Sequence, residues 1–379
     1  MKSILIVAGE SSADKYGADV VREFKRRHAD AAFFGVGGER LAEQGVEICS
    51  SLKELNVVGI FEVLSRLPRI RRVFQRLKKE RQTRNPAAAL LIDSPDFNLR
   101  LARRLARAGI PVLYYISPTV WAWRRGRLKT IRKVVTRMCF IFPFEQKIFD
   151  ETGIPAVFVG HPLNDKVKAS LSRDAFLAKY SLPRQGHLIT LLPGSRRSEI
   201  KNHLPVLLAA ARLLRADLPV HFLLVLADSI DREYLQRFLP HEEPGIDILS
   251  EDGYDAIAQS DLVLSSCGTA TLETALLGTP LIAFYRLSPL TYYPFRRLVR
   301  IRAYSIVNIL AEREFVPELI QRRFTAVQLV RETRALLFSE ERKAEMKEEF
   351  RRLAGRLGQG KAAEGVAREL EKIVFPLHL

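Results

Sequence analysis

Two aspartates that follow a predicted buried strand are placed for proton transfer. The apolar run Ala87–Ile92 predicts a strand, and Asp93 and Asp96 come directly after it in the motif IDSPDFN. A carboxylate at the carboxyl end of a strand can face a ligand cleft and accept a proton from a hydroxyl group. Aspartate is also a common turn and helix-capping residue. The pattern alone therefore leaves both roles open, and it does not choose between the two residues.

A glycine- and serine-containing turn predicts a phosphate site further along the chain. The predicted strand Leu188–Leu192 leads into the segment PGSRRSE, which contains Ser195 and Arg196, and a helical pattern follows. Small residues let backbone N–H groups approach an anion, and the start of a helix adds partial positive charge. Arg196 could also clamp phosphate oxygens. An ordinary capped strand-to-helix turn is the alternative.

A second turn of the same kind follows the predicted strand Leu262–Ser265. Its sequence SCGTATLE provides the candidate phosphate ligands Ser266, Gly268 and Thr269. Glu273, in the next helical turn, could accept hydrogen bonds from a ribose diol, or it could be a solvated helix residue. Two such turns in one domain predict a nucleotide diphosphate held between two helix N-termini.

Motifs for other nucleotide sites and for metals do not occur in the sequence. Neither GxGxxG nor GxxxxGK[ST] is present, which disfavours dinucleotide and P-loop sites. The sequence has no convincing Asp-x-Asp pair after a strand, and its histidines lack metal-ligand spacing. We therefore predict no cofactor and no metal, and we expect helix dipoles and arginine to stabilise a leaving diphosphate.

The elements that would position these residues alternate between strand and helix. The predicted strands are Ser3–Ala8, Ala31–Gly35, Ala87–Asp93, Pro111–Ile116, Met138–Phe142, Ala156–Val159, Leu188–Leu192, His221–Ala227, Ile246–Leu249, Leu262–Ser265 and Pro280–Phe284. Repeated β-α units predict an α/β fold with two Rossmann-like, doubly wound parallel-sheet domains facing a cleft. We place the domains at 1–164 and 165–345, followed by a helical tail, 346–379, for which packing back on the N-terminal domain is one option.

Composition sets the cellular expectations. The chain has 379 residues, with 60 Lys and Arg against 43 Asp and Glu, and its 47% hydrophobic content is typical of a folded protein. No apolar run approaches the roughly 18 residues of a membrane span. The apolar part of the N-terminus is too short for a signal peptide. Three cysteines without a CxxC pair fit a reducing compartment, so we expect a cytoplasmic protein.

One segment combines apolar and basic residues as membrane-surface helices do. Between residues 66 and 84, nine basic residues stand against one acid, Glu80. Such a segment can lie in the interface of an anionic membrane; a core helix with a solvated basic face is the alternative. The candidate membrane and acyl-chain residues are Phe61, Val63, Leu64, Leu67, Ile70, Arg71 and Arg72.

Ten motifs, in one order across nearly the whole chain, resemble those of lipid-A-disaccharide synthase, a bacterial glycosyltransferase family of GT-B architecture. They are AGESSAD, GVGGERL, VVGIFEVL, IDSPDFN, YYISPTVWAWR, PFE, GHPL, LLPGSRRSEI, SSCGTATLE and VNILA. The resemblance implies transfer of 2,3-diacylglucosamine from its UDP donor to 2,3-diacylglucosamine 1-phosphate (lipid X). The implied products are the β-1,6 lipid A disaccharide 1-phosphate and UDP, formed with inversion.

The resemblance also implies roles for individual residues. The base falls on Asp93, with Glu10 and Ser11 near the reacting sugars. The UDP site falls on Ser195, Arg196, Ser266, Gly268, Thr269, Glu273 and Asn308. One departure is Ala13, where the family usually has glycine; if that glycine needs a positive φ, the shape of the loop changes.

The implied partners are two acylated substrates and an anionic membrane, which places the protein on the cytoplasmic face of the inner membrane; a homodimer is one option. One alternative is another GT-B enzyme that uses a UDP-sugar, such as a UDP-N-acetylglucosamine epimerase. A nucleic-acid-binding protein is the second alternative, which is suggested only by the net charge of +17 and has its best support in Trp121 and Trp123 beside Arg124 and Arg125. We predict no nucleic-acid partner.

Overall fold

The chain folds into two units, each built on one parallel sheet. The computed structural model describes residues 2–55, 60–121, 125–239, 245–288, 303–358 and 360–376, and the side chains of 60–67 lie outside that description. The first unit comprises Met1–Pro162 and Leu357–Leu379, and the second comprises Leu163–Arg356. The chain therefore returns to the first unit after completing the second.

The first unit contains a seven-stranded sheet with the order β3-β2-β1-β4-β5-β6-β7. Each pair of neighbouring strands is parallel. The strands are β1 (Ser3–Ala8), β2 (Ala32–Gly37), β3 (Glu47–Ser51), β4 (Ala88–Ile92), β5 (Val112–Tyr115), β6 (Arg137–Phe140) and β7 (Ala156–Phe158). Its helices in the first part of the chain are α1 (Ser11–Lys25), α2 (Glu39–Glu43), α3 (Ile60–Arg84), α4 (Pro95–Ala106), α5 (Arg127–Val134) and α6 (Glu145–Thr152).

The continuous apolar sequence of β1 is explained by burial on both faces of the sheet. Alternate side chains enter different cores: Ile4 and Ile6 belong to one cluster, and Leu5 and Val7 belong to the other. Helices cover both faces of a doubly wound sheet, so no strand face is left for polar residues. The same reasoning explains why β4 has five buried residues in a row.

The second unit contains a six-stranded parallel sheet with the order β10-β9-β8-β11-β12-β13. The strands are β8 (His187–Leu192), β9 (Val220–Val225), β10 (Ile246–Leu249), β11 (Leu262–Ser266), β12 (Leu281–Tyr285) and β13 (Glu318–Ile320). The helices are α7 (Leu163–Lys166), α8 (Arg173–Lys179), α9 (Arg197–Asp217), α10 (Arg232–Gln236), α11 (Gly253–Gln259), α12 (Thr269–Leu276), α13 (Ile306–Ala311), α14 (Ala326–Leu337) and α15 (Glu340–Arg356).

The last described helix, α16 (Ala362–Val374), belongs to the first unit. Its apolar side chains, among them Val366 and Leu370, are buried in one core of the first sheet. Arg137 on β6 pairs with Glu369 at 2.6 Å. The predicted boundary at 345 lies inside α15, and the whole of that helix belongs to the second unit. Of the predicted helical tail, the part up to Arg356 therefore belongs to the second unit and the part from Leu357 belongs to the first.

The parallel α/β prediction is confirmed, and each predicted strand is present with small shifts of its ends. The prediction missed β3 and β13. Both are edge strands, with a neighbour on one side only. Their short, mixed sequences EICSS and ELI lack the apolar run that marks a strand buried on both faces.

Candidate active site

The candidate residues follow the strands at which each sheet changes direction. In the first sheet the order reverses between β1 and β4, and in the second between β8 and β11. Ligands of doubly wound sheets bind outside the carboxyl ends of strands at such switch points. Glu10 and Asp93 follow β1 and β4, and Ser195 and Ser266 lie at the ends of β8 and β11.

The backbone of Asp93 is held in an unusual conformation by its neighbours. Asp93 has φ +48° and Ser94 has φ +44°, both in the left-handed region. The Asp93 N–H donates to the Tyr115 carbonyl at 2.9 Å. The Asp93 carbonyl accepts from the Tyr114 hydroxyl at 2.6 Å and from Asn98 Nδ2 at 2.8 Å. Such backbone conformations persist only where the surroundings impose them, and they cluster at functional sites.

The surroundings of the Asp93 carboxyl group suit a general base. Burial and, to a smaller extent, the negative charge of Glu10 raise its pKa to about 6, against the lowering effect of the backbone N–H of Ser94. A base that titrates near the working pH combines ionisation with useful basicity. Asp96, in the first turn of α4, is instead exposed and paired with Arg127. The structure thereby separates the two aspartates that the sequence left equivalent.

The loop after β1 lies directly against Asp93's turn. A Cβ atom added at Gly9 would come within 2.6 Å of Ser94 Oγ, so a larger residue at this position would displace the Ser94 side chain. Glu10 is the N-cap residue of α1, and Glu10 and Ser11 are both exposed. Ala13 is fully buried within α1 and is absent from the positions of positive φ. Alanine at this position is therefore compatible with the helix and does not reshape the loop.

In the turn after β8, the backbone N–H groups form hydrogen bonds with a buried glutamate of the following helix. Glu199 is buried, and its Oε2 accepts the backbone N–H groups of Ser195 at 2.9 Å and Arg196 at 3.2 Å. Its Oε1 accepts from the Arg196 guanidinium at 2.9 Å and from the Tyr285 hydroxyl at 3.0 Å. These N–H groups are therefore occupied by a carboxylate. Glutamate three residues after an N-cap residue is a recognised capping signal that could have revealed this arrangement.

The turn after β11 is more open. Ser266 ends the strand, Gly268 is the N-cap residue of α12, and Thr269 begins that helix with its side chain exposed. A Cβ atom added at Gly268 would meet no atom within 4 Å. Glu273, one turn further on, accepts a hydrogen bond from the Tyr254 hydroxyl at 2.9 Å. The open space beside a helix N-terminus suits an anionic group.

The side chain of Asn308, a predicted UDP-site residue, forms all of its hydrogen bonds inside the second unit. Its Nδ2 donates to the Val316 carbonyl and to Glu318 Oε1, each at 2.8 Å. Its Oδ1 accepts the N–H groups of Phe315 at 3.1 Å and Val316 at 3.0 Å. An asparagine amide offers two donor and two acceptor positions. With these positions filled and the residue buried, the Asn308 side chain holds the segment between α13 and β13 in place and has no hydrogen-bonding position left for a ligand.

A buried carboxyl group near the same edge of the first sheet was also missed, although its motif PFE was noted. Glu145 accepts hydrogen bonds from the Ser117 hydroxyl and from the Phe142 N–H. Burial raises its pKa to about 7, against the lowering effect of these hydrogen bonds. Nearby His161 is buried, which lowers its pKa to about 3. Glu145 ties the loop after β5 to the loop after β6.

The candidate membrane segment forms helix α3, as one contiguous helix from Ile60 to Arg84. The side chains of Phe61, Val63, Leu64 and Leu67 lie outside the described residues. Ile70 is half-buried against the core, and Arg71 and Arg72 are exposed. Across the described parts of the chain, no helix has both the length and the apolar character to cross a membrane. Those parts also contain no cluster of three potential metal-ligating side chains.

Solved structures with the same fold identify the class of protein. The chain matches the calicheamicin glycosyltransferase CalG4 with a TM-score of 0.64 and 14% identity, over 100% of both chains. It matches the UDP-GlcNAc 2-epimerase of Neisseria meningitidis, solved with UDP-GlcNAc, with a TM-score of 0.64 and 13% identity, over 98% of this chain and 100% of that one. The two parallel-sheet units are those of a GT-B protein.

Sequence comparison then narrows the class to one family. The family model described as lipid-A-disaccharide synthetase matches residues 4–370. The lipid-A-disaccharide synthase of Syntrophus aciditrophicus is 43% identical over 368 residues, covering 97% of this chain and 96% of that protein. The chain belongs to the lipid-A-disaccharide synthase family, whose members are glycosyltransferases.

Proposed function

We propose that the protein transfers 2,3-diacylglucosamine from UDP to the 6-hydroxyl group of 2,3-diacylglucosamine 1-phosphate. The products are the β-1,6-linked disaccharide 1-phosphate and UDP. Family membership supports this reaction. The observation that carries it in the structure is Asp93, a half-buried residue whose carboxyl group has a raised pKa, at the switch point of the first sheet.

The chemistry requires one base and one stabilised leaving group. An α-linked donor gives a β-linked product by a single in-line attack, so the bond from the sugar C1 to the acceptor O6 forms as the C1–phosphate bond breaks. The 6-hydroxyl proton passes to the Asp93 carboxylate. Glu10 and Ser11, exposed at the neighbouring strand end, are placed to orient the acceptor.

The nucleotide is assigned to the second unit. The α12 N-terminus at Gly268 and Thr269 stabilises the departing diphosphate, with Ser266 beside it, through helix N–H groups and the helix dipole. Glu273 is held by Tyr254 and accepts from the ribose diol. The Arg196 guanidinium, oriented by Glu199, supplies positive charge, and the exposed Ser195 hydroxyl adds a donor. The backbone N–H groups of Ser195 and Arg196 do not bind the diphosphate, because they already donate hydrogen bonds to Glu199.

Acylated substrates require access to a bilayer, and α3 is the part of the first unit assigned to that contact. Arg71 and Arg72 are exposed on it, and basic side chains beside apolar ones favour an anionic membrane surface. The protein then works as a peripheral protein on the cytoplasmic face of the inner membrane.

The test follows UDP release by purified protein with both lipids in detergent and EDTA present. UDP should appear only when both lipids are added. Asp93→Asn should lower kcat by about 100-fold to 10,000-fold, the usual contribution of a general base, while UDP binding persists. Asp96→Asn is the matched control and should retain activity.

Other outcomes would redirect the assignment. Retained turnover in Asp93→Asn would refute Asp93 as the base. UDP binding without release would keep the nucleotide site and remove the lipid acceptor. Release abolished by EDTA would contradict a metal-independent reaction.

A further inference from the structure

A basic groove lies between the C-terminal halves of α3 and α4 in the first unit. It has a volume of about 670 Å³, within the range of roughly 300–1,000 Å³ that is typical of ligand sites. Six cationic side chains line it: Arg71, Lys78, Arg81, Arg100, Arg104 and Arg107. In the part of the chain that the structure describes, no Asp or Glu lines the groove.

Among the described residues, no acidic side chain forms an ion pair with any of these six side chains. Other arginines of α3 are paired: Arg76 contacts Glu54 at 3.4 Å, and Arg84 contacts Glu80 at 2.9 Å. The C-terminal dipoles of the two helices supply only about half a negative charge each. A large excess of positive charge therefore remains in the groove.

The floor of the groove is apolar and ordered by aromatic contacts. Phe74 is nearly buried and stacks on Phe97, with ring centroids 4.4 Å apart. The Arg104 guanidinium lies over the Phe74 ring at 3.9 Å from its centroid. This contact holds one of the six cations in place against a rigid surface, so it is partly positioned before any ligand arrives.

The groove is separate from the candidate active site. Helix α4 starts at Pro95, two residues after Asp93, and the groove begins at Arg100 and continues past the helix end. From Pro95 the chain rises about 8 Å to Arg100 and about 18 Å to Arg107. The cationic side chains that α4 contributes to the groove therefore lie towards the opposite end of the helix from Asp93.

We propose that this groove binds the phosphate headgroup of an anionic lipid in the bilayer, as a second membrane contact beside the N-terminal half of α3. Arginine forks match phosphate oxygens in pairs, and the groove continues directly from the helix assigned to the membrane. A bilayer lipid is favoured over a soluble anion because cations without an ion-pair partner among the described residues and an apolar floor occur together. The proposal rests on the membrane contact proposed above.

The test measures sedimentation of the full-length protein with phosphatidylcholine vesicles, prepared with and without phosphatidylglycerol. The variant Arg100→Gln/Arg104→Gln/Arg107→Gln should bind the anionic vesicles about 100-fold more weakly than wild type, because each basic residue near an anionic surface contributes about fivefold. The matched control Arg232→Gln/Arg323→Gln/Arg331→Gln removes the same charge from exposed positions of the second unit and should bind like wild type. Circular dichroism checks that both variants are folded.

The outcomes separate this proposal from the proposed function. If wild type binds neither vesicle, the membrane contact itself fails and the groove proposal fails with it. If wild type binds anionic vesicles and the groove variant binds equally well, only the groove proposal is overturned. Equal weakening in the control would also overturn it, since net charge would then explain binding. Displacement of vesicles by millimolar inorganic phosphate or by an RNA oligonucleotide would assign the groove to another anion.

Discussion

At the scale of single residues, position in the fold separates side chains of the same type. Asp93 and Asp96 lie three positions apart in one motif. Asp93 follows β4, and its backbone is held by Tyr115, Tyr114 and Asn98, whereas Asp96 is exposed and paired with Arg127 on α5. Burial and the charge of Glu10 then set the pKa of Asp93, so its proton affinity is a property of the site rather than of aspartate.

The pH dependence of the reaction should report that proton affinity. A base with a pKa of about 6 is ionised above that pH and protonated below it. We expect kcat/KM to be level at higher pH and to fall about tenfold for each unit below the pKa. Initial rates of UDP release across pH measure this profile.

A control is needed because the pKa of Glu145 is raised to about 7, near that of Asp93. Glu145→Gln removes this titration without changing Asp93. The pH below which kcat/KM falls should therefore be the same in this variant as in wild type. An acidic limb that disappears in Glu145→Gln would identify Glu145 as the titrating group and contradict the assignment to Asp93.

At the scale of elements, the strand-to-helix turn after β8 depends on a glycine. Gly194 has φ +126°, and a Cβ atom there would lie 2.4 Å from Glu199 Oε2. Glu199 is the residue that accepts the turn's N–H groups and orients Arg196. The carboxylate can occupy this position only because residue 194 has no side chain.

Gly194→Ala should therefore lower the free energy of unfolding by about 2–5 kcal/mol, combining backbone strain with a steric clash. Gly278→Ala is the matched control in the same unit: it also has a positive φ, +76°, but its Cβ would meet nothing within 4 Å. It should cost only about 1–2 kcal/mol. Urea denaturation of both variants measures the difference, and equal losses would mean that Glu199 moves aside freely.

At the scale of the whole molecule, the first unit is built from two separate stretches of the chain, one before and one after the second unit. Helix α15 ends the second unit, and α16 completes a core of the first. Leu370 on α16 is fully buried and Leu353 on α15 is 1% exposed. These two leucines are similarly buried and lie on consecutive helices, but each stabilises a different unit.

Leu370→Ala and Leu353→Ala should each cost about 2–5 kcal/mol, but in different unfolding transitions. UDP, if it binds the second unit as proposed, stabilises that unit by mass action. In thermal unfolding, the transition lowered by Leu353→Ala should therefore shift upward with UDP, and the transition lowered by Leu370→Ala should not. A single transition lowered equally by both variants would show that the units unfold together.

The alternation of strands and helices and the family could be predicted from the amino-acid sequence, together with the polar residues that follow the strand ends. These depend on local patterns: an apolar run such as β1 must be buried on both faces, and a motif such as IDSPDFN keeps its residue types at fixed spacing. The edge strands β3 and β13 were not predicted, because a strand with a neighbour on one side only does not need a continuous apolar sequence.

The three-dimensional structure was needed to see which polar groups are already hydrogen-bonded and which charges have no ion-pair partner among the described residues. The Asn308 amide donates a hydrogen bond to Glu318 on β13, ten residues further along the chain. Helix α16 packs into a core formed by the start of the chain. The groove between α3 and α4 exists because two basic helices lie side by side while the acids are elsewhere. Such contacts join residues distant in sequence, and packing alone determines which side chains meet.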